Sequence, residues 1–204
     1  MVTLPSGRVG MIELHPKQVI GEWSEGYVLD VHTISSTLVG HNEFGYPEFD
    51  TVRSDLGELL YRLKYKADKS VVSAIVDAAG GFVNSWGIHP DVLVPVPPSK
   101  TRRAFQPVAA IASELAAALR ISLDTGSLRK KVPTPQMKDV GDLAARIGAL
   151  EAAFACSQEL AGKRVLLFDD LFQSGATMNV AARTLKQAGL VERVYALALT
   201  RTRN

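Results

Sequence analysis

The chain has 204 residues, 47% hydrophobic and 22% charged, with a formal net charge of +2. That size suits one domain with an elaboration, no apolar run approaches the ~20 residues of a membrane span, and the first residues lack the charged-then-apolar pattern of a signal peptide. A single cysteine, Cys156, rules out an internal disulfide and a multi-cysteine zinc site, and a cytoplasmic location is expected.

Charge is unevenly spread. Residues 1–60 hold three basic residues against nine acids, and residues 97–146 hold nine against four. A basic middle suits an anionic ligand, and equally a solvated surface.

The first part of the chain reads as an elaboration. Gly26–Gly40 (GYVLDVHTISSTLVG) looks like one or two strands, and Asn42–Ser54 (NEFGYPEFDTVRS) like a turn-rich aromatic connector. Residues 1–54 are therefore expected to pack against an α/β body, residues 55–204. Asp55–Asp68 and Lys69–Trp86 read as helices. Asp91–Pro97 (DVLVPVP) is a short β-rich run ended by prolines. Phe105–Arg120 follows as a helix, with Val108, Ile111, Leu115 and Leu119 at helical spacing. Arg120–Lys131 holds a short strand or two, and Val132–Leu150 opens as a proline-containing loop that ends as a helix.

Arg164–Asp170 (RVLLFDD) is a continuous apolar run, as in a strand covered on both faces of a parallel sheet. Thr177–Gly189 reads as a helix with Thr177 as N-cap and Gly189 as its stop. Arg193–Thr200 is a last strand. The alternation predicts an α/β fold, three-layered around a mostly parallel sheet.

Asp169 and Asp170 fall at the carboxyl end of their strand, where open α/β sheets bind ligands. The turn Gln173-Ser174-Gly175-Ala176-Thr177 then opens a helix. A helix N-terminus offers free N–H groups and a partial positive charge to a phosphate. Ser174 and Thr177 add hydroxyl donors, and Gly175 allows close approach. The motif lacks the Gly-Lys-Ser/Thr of a Walker turn and the G-x-G-x-x-G of a dinucleotide site. A sugar phosphate fits both halves, with carboxylates on vicinal hydroxyls and the turn on the phosphate. The pair fits equally a plain strand end bonded to a helix start.

The stretch VLLFDDLFQSGATM resembles the phosphoribosyl pyrophosphate (PRPP) signature of the type I phosphoribosyltransferases. LLYRLKYKAD, VLVPVPPSKTRRAFQP and TPQMKDVGDLAARIGALEAAFA extend the resemblance, in order, to the ComF-type competence proteins and the amidophosphoribosyltransferase-like branch. The resemblance implies ribose transfer from PRPP to a nitrogenous acceptor, with pyrophosphate released and Mg²⁺ bound with the substrate. Asp169 and Asp170 would be catalytic, holding ribose hydroxyls and touching the metal only through ribose or water. Pro98, Ser99, Lys100, Arg102 and Arg103 would meet the pyrophosphate. Lys131 and Lys138, with Arg129, Lys130 and Arg146, would belong to a loop closing over the site. It also implies a homodimer.

Gln173 stands where the 6-oxopurine salvage enzymes carry an acid that serves as base, and an amide cannot be one. Phe172 either packs under the turn or lines an acceptor pocket. That pocket is expected from the N-terminal elaboration and the region of Trp86, with Trp23, Tyr27, His32, Phe44 and Tyr46 as candidates to stack on a base or simply to pack. Two other readings stay open. One is a regulator that binds PRPP or a nucleotide without turnover; the other is a competence-type protein contacting nucleic acid or a helicase, though no basic stripe with interleaved aromatics supports it.

Overall fold

The computed structural model describes residues 12–98, 105–131 and 153–203. The expected helix near residue 150 lies outside them. Among the described residues, six strands form one sheet in the order β1-β2-β10-β9-β5-β6. These are β1 (Lys17–Gln18), β2 (Glu25–Val31), β5 (Val92–Pro95), β6 (Ser122–Leu123), β9 (Arg164–Phe172) and β10 (Arg193–Arg201). All neighbours run parallel except the edge strand β1. β3 (Thr33–His41) pairs with β4 (Pro47–Arg53), and β7 (Leu128–Lys130) with β8 (Phe154–Cys156), as separate antiparallel ribbons.

Helices cover both faces. α1 (Asp55–Tyr65), α2 (Val72–Trp86) and α3 (Pro107–Leu119) bury Leu60, Ile75, Ile111 and Leu115 against Leu93, Leu166, Phe168 and Leu197. α4 (Ala176–Gln187) buries Ala181 and Leu185 on the other face, against Val165, Leu167 and Ala196. The continuous apolar run of β9 is thus explained, because both of its faces are core. The expected α/β architecture, three layers around a mostly parallel sheet, is what the chain forms.

Local chemistry sets the element ends. The Ser54 hydroxyl caps α1 by accepting from Gly57 N at 3.0 Å, and it donates to Val31 O at 2.5 Å. Asp55 and Glu58 lie in the first turn of α1 and Arg62 and Lys64 in its last, in accord with the helix dipole. α2 stops at Gly87 in the left-handed conformation, and Pro107 starts α3.

The structure corrects three expectations. β2 is an integral strand, parallel to β10, so the segment set apart as an elaboration at residues 1–54 supplies part of the central sheet. The alternation GYVLDV was legible as a strand, but its partner is more than 160 residues away in sequence. The connector at residues 42–54 contains β4, a strand built by pairing with β3. The N-cap of α4 is Gly175, at φ +73°, with Thr177 inside the first turn.

Candidate functional site

Parallel strands place their carboxyl ends on one edge of the sheet, and the acids of β9 lie at that edge. Side chains alternate along a strand, so Asp169 and Asp170 point to opposite faces. Asp170 is 8% exposed, and its Oδ2 forms an ion pair with Lys64 Nζ at 2.7 Å. Its backbone N–H donates to Asp169 Oδ1 at 2.8 Å. Its carbonyl oxygen accepts from the Thr200 hydroxyl at 3.0 Å, and Thr200 Oγ1 lies 3.2 Å from His32 Nδ1. The Thr200 proton is committed to Asp170, so His32 donates from Nδ1. Burial first, then the nearby Lys64 and Arg53, lower the His32 pKa and favour the neutral ring.

The Gln173–Thr177 turn is held from below. Asn179 bonds the Gly175 carbonyl through both its backbone N–H (2.8 Å) and its Nδ2 (3.0 Å), and its Oδ1 accepts from Glu22 N at 2.7 Å. Phe172 packs under the turn. Its ring meets Trp23 edge-on at 6.4 Å, and a Cβ on Gly175 would come within 2.6 Å of it. The positive φ and that ring together explain the glycine.

Two cavities meet at the acids. One, of about 330 Å³, is lined by Lys64, Pro97, Pro98, Lys130, Asp169 and Asp170 among others. The other, of about 340 Å³, follows the chain from Asp169 through the turn to Met178. They share Asp169, Asp170 and Thr177. Cations therefore line one side of the acids and a helix N-terminus the other. Lys130 is partly buried, and burial lowers its pKa against the pull of Asp169.

Asp169 is partly buried, and its pKa is raised to about 7, by burial first and by the Asp170 charge second. The Asp170 N–H, Lys64 and Lys130 work in the opposite direction. A carbon-13 titration of the Asp169 carboxyl should therefore centre near neutrality, well above the usual carboxylate range. Lys64→Met should move it higher still, by removing an opposing charge; an unmoved midpoint would show that Lys64 does not act on it. The folded value exceeds the ordinary 3.8. The folded state thus keeps a proton that the unfolded chain has released. Stability from this group is highest below 3.8 and falls as pH rises towards about 7.

A phosphoribosyl transferase domain description matches residues 63–201. This chain belongs to the phosphoribosyltransferase family. Among proteins similar to it, the Bacillus subtilis (strain 168) competence protein ComFC is 28% identical over 178 residues, which span 82% of this chain and 67% of that protein. The adenine phosphoribosyltransferase of Mycobacterium marinum is 38% identical over 81 residues, 38% of this chain and 44% of that enzyme. Among solved structures, the B. subtilis glutamine PRPP amidotransferase, complexed with ADP and GMP, superposes with a TM-score of 0.50 at 20% identity. That superposition covers 77% of this chain and 34% of that one, and it shows a shared fold.

The family frame sorts the sequence-derived candidates. The structure brings Asp169, Asp170, Gln173, Ser174, Gly175, Ala176 and Thr177 into one continuous wall, and sets Pro98 across from them. Lys131 is exposed, with its N–H donating to Ala153 O at 2.8 Å. Ser99, Lys100, Arg102, Arg103, Lys138 and Arg146 lie outside the described residues. The stacking candidates divide. Trp23 is buried and donates from Nε1 to Val19 O, while Tyr27 packs against Phe82 and Trp86. Phe44 and Tyr46 are exposed near the turn between β3 and β4.

Lys64, Thr200 and Asn179 were not singled out from sequence. Lys64 stands in the stretch LLYRLKYKAD, whose charged residues look like an ordinary helix surface. Only the packing of α1 over the carboxyl edge turns one of them inward.

Proposed function

We propose that the protein binds PRPP together with Mg²⁺ and transfers ribose 5-phosphate to a nitrogenous acceptor, releasing pyrophosphate. The observation that carries this reading is the confluence of the two cavities at Asp169 and Asp170. The acids accept from the ribose hydroxyls, the Ser174–Thr177 turn holds the 5′-phosphate, and the cation-lined cavity takes the diphosphate. Charge builds on the leaving group while a cationic sugar forms, so positioning and electrostatics supply the catalysis. Lys64 fixes the Asp170 carboxylate, and the Thr200–His32 pair fixes its backbone.

No group of three or more His, Cys, Asp or Glu side chains able to hold a metal occurs among the described residues. The donor set is two carboxylates, one already paired with Lys64. It fits a Mg²⁺ that arrives on the substrate and keeps much of its water, and that ion would screen the diphosphate charge. We read the protein as a cytoplasmic homodimer. No described helix is long and apolar enough to cross a membrane.

Calorimetry with PRPP and Mg²⁺ tests the binding half: saturable binding is expected, and Gly175→Ala should weaken it by about tenfold or more through the strained turn. A pyrophosphate-release assay with purines, pyrimidines, amines and ammonia tests the transfer half. Binding without release for any acceptor would mean a PRPP-responsive regulator. The likeness to a competence protein over 82% of the chain favours a second reading, a role in handling incoming DNA. Salt-sensitive DNA binding at physiological ionic strength, with no PRPP binding, would select it.

A further inference from the structure

Lys64 stands where two demands on the site meet. Leu56, Leu60 and Leu63 form the buried stripe of α1, and Lys64 follows Leu60 by four residues, on the same side of the helix. Its side chain is only 17% exposed, a burial that lysine seldom accepts. The ammonium reaches the carboxyl edge of the sheet, 2.7 Å from Asp170 Oδ2. Lys64 also lines the cavity of about 330 Å³, together with Pro97, Pro98 and Lys130.

A counter-ion role alone leaves much of this ammonium unused. It carries three donors, and Asp170 is its one ion-pair partner among the described residues. Asp170 Oδ2 is in turn an acceptor for the ribose hydroxyls, so the ion pair and the sugar compete for one oxygen. A diphosphate entering the same cavity meets two carboxylates on its wall, Asp169 and Asp170, and is repelled by both. One ammonium that swings from carboxylate to diphosphate answers both demands. Lysine suits such an exchange, because it is a compact charge on a flexible four-carbon stem with three rotatable donors. An arginine fork in its place would grip the carboxylate through two bonds.

We propose that Lys64 is a substrate-binding residue whose ammonium leaves Asp170 for the diphosphate as PRPP enters, and thereby frees Asp170 for the ribose hydroxyls. No covalent bond forms or breaks in this exchange, and the ammonium returns to Asp170 when pyrophosphate departs. The inference rests on the phosphoribosyl reading of the two cavities and gives the diphosphate a named ligand within it.

Calorimetry on the full chain tests it, with magnesium chloride present throughout and two probes. Ribose 5-phosphate alone reports the acids and the turn. Pyrophosphate, added with ribose 5-phosphate saturating, reports the diphosphate side. Lys64→Met and Lys64→Gln should each bind pyrophosphate about tenfold or more weakly than the parent, and ribose 5-phosphate no more weakly. Glutamine can still donate to Asp170, so Lys64→Gln carries the test should Lys64→Met unfold. A lysine that only holds Asp170 in place predicts the reverse pattern, with ribose 5-phosphate weakened and pyrophosphate untouched. Parental pyrophosphate affinity in either folded variant, or weakened ribose 5-phosphate binding in Lys64→Gln, would overturn the proposal. A parent protein that takes up neither probe would remove the phosphoribosyl reading itself, and this inference with it.

Discussion

Asp170→Asn should cut pyrophosphate release by about 10²–10³-fold, the usual cost of removing one group that stabilises developing charge. Asparagine keeps the shape of the side chain but replaces an acceptor-only, charged group by a neutral amide. The same change leaves Lys64 Nζ, 2.7 Å away, without its counter-ion. Breaking a well-buried pair costs about 3–5 kcal/mol. The Lys64 side chain is 17% exposed and lines an open cleft. Water can reach it, so a smaller loss, about 1–3 kcal/mol, is expected in urea unfolding.

The double variant Lys64→Met, Asp170→Asn separates the two roles. It removes both charges, so stability should recover towards the parent while pyrophosphate release stays low. Recovery of release in the double variant would mean that Asp170 serves only as the counter-ion of Lys64. Full release in Asp170→Asn alone would remove the ribose clamp from the mechanism.

How much of this site could be read from sequence follows the range of the interactions. The run VLLFDDLFQSGATM is local: strand, acids and turn are consecutive, and one strand-to-helix connection positions them all. The α/β alternation was legible because β5, α3, β9, α4 and β10 each carry their own periodicity. What stayed hidden depends on distant partners. β2 looked peripheral because a strand's place in a sheet is set by pairing, and its pairing with β10 spans nearly the whole chain. Lys64 looked like surface because a helix's orientation over the sheet edge is a tertiary fact.

Gly57→Ala is expected to destabilise the protein although it improves helix propensity. In an exposed helix interior the change would gain about 1 kcal/mol. Gly57, however, lies buried in the first half of α1, and a Cβ there would overlap the His32 carbonyl oxygen. That oxygen is backbone and has little room to yield: the His32 N–H is itself bonded to Arg201 O at 2.8 Å, which ties the β2 end to β10. Relief must come from α1 lifting off the sheet edge, and overpacking of this kind costs about 1–3 kcal/mol or more. Lys64 lies about two turns further along the same helix, so the lift carries its ammonium away from Asp170. Misplacement of about 1 Å in a positioned group can cost ~10²-fold in rate, so pyrophosphate release should fall together with stability. Gly81→Ala in α2 is the matched control, because a Cβ there meets nothing within 4 Å. Urea unfolding should show Gly81→Ala gaining and Gly57→Ala losing. If Gly57→Ala instead gains, the close approach of α1 to His32 is absent in solution, and with it the device that aims Lys64 at the acids.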